Sequence, residues 1–126
     1  MIGYITLGSN NIPKATAFYD ALLGEIGAKR VFTYDTFMAW SLGEETPMFS
    51  IVKPFDKNQA TTGNGSMIAL IAESPEQVKS LHAKALKLGA TNEGDPGMRE
   101  GGYYCAYFRD LDGNKLNFHC ICQSAE

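Results

Sequence analysis

A chain of 126 residues with 44% hydrophobic and 20% charged side chains is long enough to bury one respectable core and has the composition of a soluble globular domain. Its net charge of −3 leaves no basic footprint, which excludes nucleic acid as the expected partner. No apolar run approaches the ~20 residues of a membrane span, and Met1-Ile2-Gly3-Tyr4 leads straight into a strand pattern rather than a leader. The 3 cysteines, Cys105, Cys120 and Cys122, are odd in number and lack a disulfide-scaffold spacing. They read as reduced thiols of a cytoplasmic protein with no membrane partner, and the Cys120/Cys122 pair as packing.

Taken in chain order, the first strand alternates from Tyr4 to Leu7 and runs into the cap candidates Ser9, Asn10 and Asn11. Ala15, Phe18, Leu22 and Ile26 then fall on one helical face, with Gly27 as the stop. Strands follow over 30–34, 37–42 and 48–53. "PFDKNQATTGNG", residues 54–65, is polar and aperiodic and reads as a linker.

The pattern then repeats. A strand from Met67 meets Ser74-Pro75-Glu76-Gln77, a capping-box start with proline at the first helical position. Val78, Leu81, Ala85 and Leu88 form the helical stripe, His82 beside it reads as surface, and Gly89 is the stop. A short irregular strand near 91–93 is expected next. The glycine-rich loop "GDPGMREGG", carrying Arg99, follows, and then strands at 103–109 and 115–121. The plan is βαβββ twice, with Tyr4 matching Met67 and Ser50 matching Asn117. We therefore expect an α+β fold: tandem βαβββ modules, about 1–53 and 66–126, forming a curved mixed sheet with a cleft and with helices on the outer face.

Strand alternation sorts the side chains. Ile5, Leu7, Phe49, Ile51, Ile68, Leu70, Leu116 and Phe118 form an apolar set suited to the helices. Tyr4, Thr6, Ser50, Met67, Asn117 and His119 fall on the opposite face, too wet for a core and too apolar for open water. A ligand cleft accounts for that mixture. Carrying the Ser50–Asn117 spacing along the chain adds Met38 and Trp40 from one half and Tyr103, Cys105 and Tyr107 from the other. Arg99, in its loop, is placed to meet a carboxylate or phosphate as part of a lid, or to sit as a solvated charge.

Paired βαβββ modules, "TLGSNNIPKATAFYDALLG" near the start and "YFRDLDGNKLNF" near the end together resemble the vicinal oxygen chelate superfamily of glyoxalases, bleomycin-resistance proteins and extradiol dioxygenases. "KPFD", "GNGSMIAL" and "YYCAYFRDLDGNKL" are similar to a subgroup of small glyoxalase-like proteins. The resemblance implies a metal held by His, Glu or Gln on the first and last strands of each module. Here those places are Tyr4, Ser50, Met67 and Asn117. None is an ordinary ligand of a catalytic divalent ion, so no metal and no cofactor is expected, and His119 with Cys105 is too few ligands for a displaced site.

The expected partner is then a small, partly aromatic or amphipathic molecule, bound as bleomycin-resistance proteins bind theirs. Two alternatives stay open. One is a lyase or dioxygenase-like enzyme with a displaced metal or metal-free acid–base chemistry, for which His119, Tyr107 and Cys105 are the catalytic candidates. The other is a non-catalytic partner-binding module. The resemblance also implies a homodimer.

Overall fold

The structure, a computed structural model, describes residues 1–122. It divides into two compact units, Met1–Thr62 and a second that begins at Gly63. The first contains β1 (Tyr4–Gly8), α1 (Ile12–Gly24), β2 (Lys29–Tyr34), β3 (Phe37–Ser41) and β4 (Met48–Val52). The second contains β5 (Ile68–Ile71), α2 (Pro75–Lys87), β6 (Thr91–Met98), a 3₁₀ turn at Glu100–Gly102, β7 (Tyr103–Arg109) and β8 (Lys115–Ile121). Each unit is one βαβββ module with a four-stranded, unclosed sheet, in the order β1-β4-β3-β2 or β5-β8-β7-β6. The first and last strands of each module run parallel and the other pairs antiparallel, so both sheets are mixed as expected.

Local chemistry starts and stops the helices. Asn11 caps α1 by accepting from the Lys14 backbone N–H at 3.1 Å, with proline in the first turn. Ser74 caps α2 in the same way, accepting from Gln77 N–H. The Gln77 side chain reaches past the cap and accepts from the Glu73 N–H at 2.7 Å, a capping box displaced by one residue. Gly27 and Gly89 follow the helices with φ of +85° and +110°, the left-handed turn for which the absent Cβ is needed.

In the first unit Tyr19, Leu22, Trp40 and Ile51 are almost fully buried, and the Tyr19, Trp40 and Phe49 rings pack with centroids 4.7 to 6.4 Å apart. In the second unit α2 packs on β7 and β8, burying Val78, Leu81 and Ala85 with Phe108, Leu116 and Phe118. Truncating an aromatic ring in either core costs about 3–5 kcal/mol.

Three expectations are corrected. Met38 and Trp40 do not share a face with Ser50: Trp40 pairs with Phe49 and Met38 with Ile51, while Ala39 stands opposite Ser50. The connection Leu42–Pro47 is one residue longer than its counterpart Asp110–Asn114, so the spacing between matching residues changes by one across it. In a strand, a slip of one residue moves a side chain to the opposite face. Trp40 instead donates its indole N–H to Asp20 on α1 at 2.9 Å. Second, Gly94 to Met98 belong to β6, an edge strand with two register shifts, rather than to a free loop. Third, His82 is buried, at 4% exposure.

Candidate functional site

The turn that joins β7 to β8 sets the register of the site. The buried Asp110 carboxylate accepts from the Asp112 and Asn114 backbone N–H groups, both at 2.9 Å, and from the Asn114 side-chain amide at 3.1 Å. Beyond this turn Tyr107 stands opposite Asn117 and Cys105 opposite His119. Alternation sends Ala106, Phe108, Leu116 and Phe118 to the buried face. Tyr103, Cys105, Tyr107, Asn117 and His119 line a pocket of about 280 Å³ on the other face, with Ala69 from β5, Arg99 and Glu100.

The polar groups of this pocket are oriented by one another. His119 Nδ1 lies 3.1 Å from Asn117 Oδ1. An amide oxygen only accepts, so His119 Nδ1–H is the donor in this contact. The Tyr103 ring meets His119 edge-on, with centroids 5.7 Å apart. Burial pushes the Tyr107 phenol up from its ordinary pKa of 10.0, as does the neighbouring Cys105, against smaller opposing effects of Arg99 and Asn117. Tyr107 is therefore a neutral hydrogen-bonding group near pH 7 and not a phenolate base.

The Tyr107 ring carries cations. The Arg99 guanidinium carbon and the Lys115 ammonium each lie 5.4 Å from its centroid. Arg99 is held by backbone: it donates to the carbonyls of Asp95 at 2.9 Å and Met98 at 3.3 Å. Behind the pocket wall, His82 Nε2–H is shared between Asn92 Oδ1 and the Tyr107 carbonyl, both at 3.1 Å. Asn92 also accepts from the Gly94 N–H and donates to the Asp95 carboxylate. A histidine of α2 thus ties together β6 and β7. Its position next to Leu81 and one turn before Ala85 was the available signal, since a helical histidine among stripe residues is placed to be buried.

The family model described as the Glyoxalase/Bleomycin resistance protein/Dioxygenase superfamily matches residues 1–118. The chain belongs to this superfamily. Among solved structures, a glyoxalase/bleomycin resistance protein from Albidiferax ferrireducens is 35% identical, with a TM-score of 0.86 over 94% of this chain and 97% of that one. A glyoxalase/bleomycin resistance protein/dioxygenase family enzyme from Burkholderia phytofirmans is similar in fold at 16% identity, with a TM-score of 0.78 over 94% and 97%. So is the lactoylglutathione lyase from Agrobacterium tumefaciens, at 17% identity, with a TM-score of 0.71 over 94% and 92%. No curated protein matches the chain.

The metal that the glyoxalase superfamily implies does not fit the residues present at its ligand places. In the second unit Met67 offers an exposed thioether, and the Asn117 amide oxygen already accepts from His119. In the first unit Tyr4 is exposed, and Ser50 is fully buried with its hydroxyl unpartnered among the described residues. No three His, Cys, Asp or Glu side chains cluster as a metal site among the described residues.

Of the residues singled out in the sequence, Arg99, Tyr103, Cys105, Tyr107, Asn117 and His119 come together in this glyoxalase-fold pocket. Met67 precedes β5 and is not among its lining residues. Tyr4, Thr6 and Ser50 share one face of the first unit's sheet, where Thr6 lines a separate pocket of about 610 Å³ with Val52, Pro54 and Phe55. Cys120 and Cys122 lie apart from the site-lining set, their sulfurs 3.9 Å apart. Burial and the neighbouring Cys122 push the Cys120 thiol up from its ordinary value, which makes it a poor nucleophile.

Proposed function

We propose that the pocket of the second unit binds a small organic molecule with a flat or amphipathic body, and that no divalent metal holds it there. The observation that carries this reading is the convergence of Tyr103, Tyr107, Asn117 and His119 on one pocket whose donor set does not make a metal site. Two rings supply apolar area, while the amide and imidazole supply direction.

A panel of small aromatic molecules, followed by thermal shift and titration calorimetry with and without EDTA, tests the proposal. Hits that bind equally well in chelator and are lost in Tyr107→Ala support it. Binding abolished by EDTA and restored by a divalent ion overturns it.

A second reading, metal-free acid–base catalysis, draws support from the place of His119 in the pocket, where Nδ1 is engaged by Asn117 and Nε2 is the nitrogen left to meet a ligand. Turnover of a bound hit that disappears in His119→Gln without loss of binding would support it. We further propose a cytoplasmic homodimer, in line with the superfamily resemblance and the free thiols. Among the described residues no helix is long and apolar enough to cross a membrane. Light scattering across a dilution series reads the assembly directly, and a constant monomer mass sinks the dimer.

A further inference from the structure

The guanidinium of Arg99 occupies a seat that β6 leaves open. A Cβ built on Gly97 would stand 3.0 Å from Arg99 Nη1, and one on Gly94 would stand 3.4 Å from Nη2 and 2.9 Å from Tyr107 Cδ1. Both glycines have ordinary backbone angles, so it is space and not conformation that their missing side chains supply. The Met98 and Asp95 carbonyls each take one bond from the guanidinium, at Nη1 and Nη2, and the Tyr107 ring holds its face. These carbonyl bonds occupy only part of the donor fork.

Its charge also has no ion-pair partner among the described residues. Among the described residues the salt bridges are Arg30–Asp20 and Arg109–Glu93, and neither involves Arg99. The nearby Asp95 carboxylate accepts instead from the Asn92 amide at 2.7 Å. Glu100 lines the pocket but is exposed to water, which screens its charge. Lys115, on the far strand of the hairpin, brings a second cation to the Tyr107 ring.

Resting on the reading that this pocket takes a small organic molecule, we propose that its ligand is a planar carboxylate, held by the N–H donors of Arg99 that the two carbonyls leave unused, with its body against Tyr103 and Tyr107. A pocket of about 280 Å³ suits a single ring and its carboxylate. A fixed planar fork meets a carboxylate with two parallel N–H···O bonds, which a lysine in the same seat would not reproduce. The structural alternative is that Arg99 only clamps the irregular β6, and it makes a different prediction for binding.

The experiment compares benzoate with its neutral isosteres benzamide and benzyl alcohol, by calorimetry at low salt and by the NMR shifts of His119 and of the tyrosine rings. Benzoate is expected to bind about tenfold more tightly than benzamide, with shifts at Tyr103, Tyr107 and His119. In Arg99→Gln that preference is expected to vanish while weak binding of the neutral probes remains, and Arg99→Lys should restore only part of it. Should Arg99→Gln fail to fold, the salt dependence of the wild-type protein decides: the benzoate preference must shrink between low and high ionic strength. Equal binding of benzoate and benzamide to the wild type overturns the carboxylate proposal and leaves the pocket reading standing. If none of the three probes moves the pocket resonances, both fall together.

Discussion

His82 donates through Nε2 to the backbone carbonyl of Tyr107 at 3.1 Å, so a buried histidine of helix α2 supports the residue whose ring forms a wall of the pocket. Replacing it with alanine leaves the Tyr107 carbonyl without this donor, removes one of the two donors to Asn92, and opens a void under β7. We expect His82→Ala to lower stability by about 2–4 kcal/mol, from the cavity and the lost hydrogen bonds together. Urea unfolding checks this, and amide exchange should quicken first along β6, which is joined to α2 through Asn92. A loss below about half a kcal/mol would mean that the two acceptors find other partners.

The seat of Arg99 gives a second expectation. Gly94→Ala places a methyl 2.9 Å from a ring carbon of Tyr107 and 3.4 Å from Arg99 Nη2. Either the ring or the guanidinium must move, at about 1–3 kcal/mol for an overpacked site. Thermal unfolding measures the cost, and the Tyr107 ring resonances report the displacement. An unchanged melting temperature with unchanged ring shifts would show that β6 yields freely.

Much of the fold could be read from the chain because its signals are local. The caps at Asn11 and Ser74, the left-handed glycines at 27 and 89, and the alternation in β7 and β8 each arise within a few residues. Alternation groups Tyr103, Cys105 and Tyr107, and Asn117 with His119, but the pairing of Tyr107 with Asn117 and of Cys105 with His119 comes from the register of the hairpin. Three further features were not legible in the chain. The burial of His82 depends on acceptors supplied by β6 and β7, distant in the chain. Gly94 to Met98 form an edge strand because β7 offers pairing partners, against a composition that favours a loop. Trp40 lies on the face opposite the expected one because the β3–β4 connection is one residue longer than its counterpart in the second half.

Asp20 on α1 links Arg30 and Trp40, accepting from the guanidinium at 2.7 and 3.0 Å and from the indole at 2.9 Å. Burial raises the Asp20 carboxyl, but the two hydrogen-bonding partners and the Arg30 charge outweigh it and hold the pKa below its ordinary 3.8. The unfolded chain therefore binds this proton more readily than the native one. The stabilisation is complete above the ordinary value and is lost as pH falls through the lower native value. Because both side chains are more than a third exposed, the pair is worth at most about 1 kcal/mol. Asp20→Asn should lose that amount at pH 7, with the difference from wild type closing below about pH 4. Acid titrations followed by circular dichroism compare the two, and a gap that widens toward low pH would contradict the assignment.

The Ser50 hydroxyl is buried without a partner among the described residues, at one of the places where the superfamily resemblance puts a metal ligand. An unsatisfied hydroxyl is a cost that alanine removes, at the price of a very small void. Ser50→Ala is expected to be neutral or to gain up to about 1 kcal/mol in chemical denaturation. A clear loss of stability would reveal a partner for the hydroxyl.

The extra residue between β3 and β4 also shows where this architecture can change length and keep its faces. At a hairpin tip an added residue leaves every pair behind it intact, so Ala39 keeps Ser50 as Tyr107 keeps Asn117. The same residue added inside a strand would exchange core for pocket along the rest of its length. Tips are thus the seams of a duplicated fold, where the two copies can drift apart and where foreign segments can be spliced in, while the inheritance of inward and outward positions passes through undisturbed.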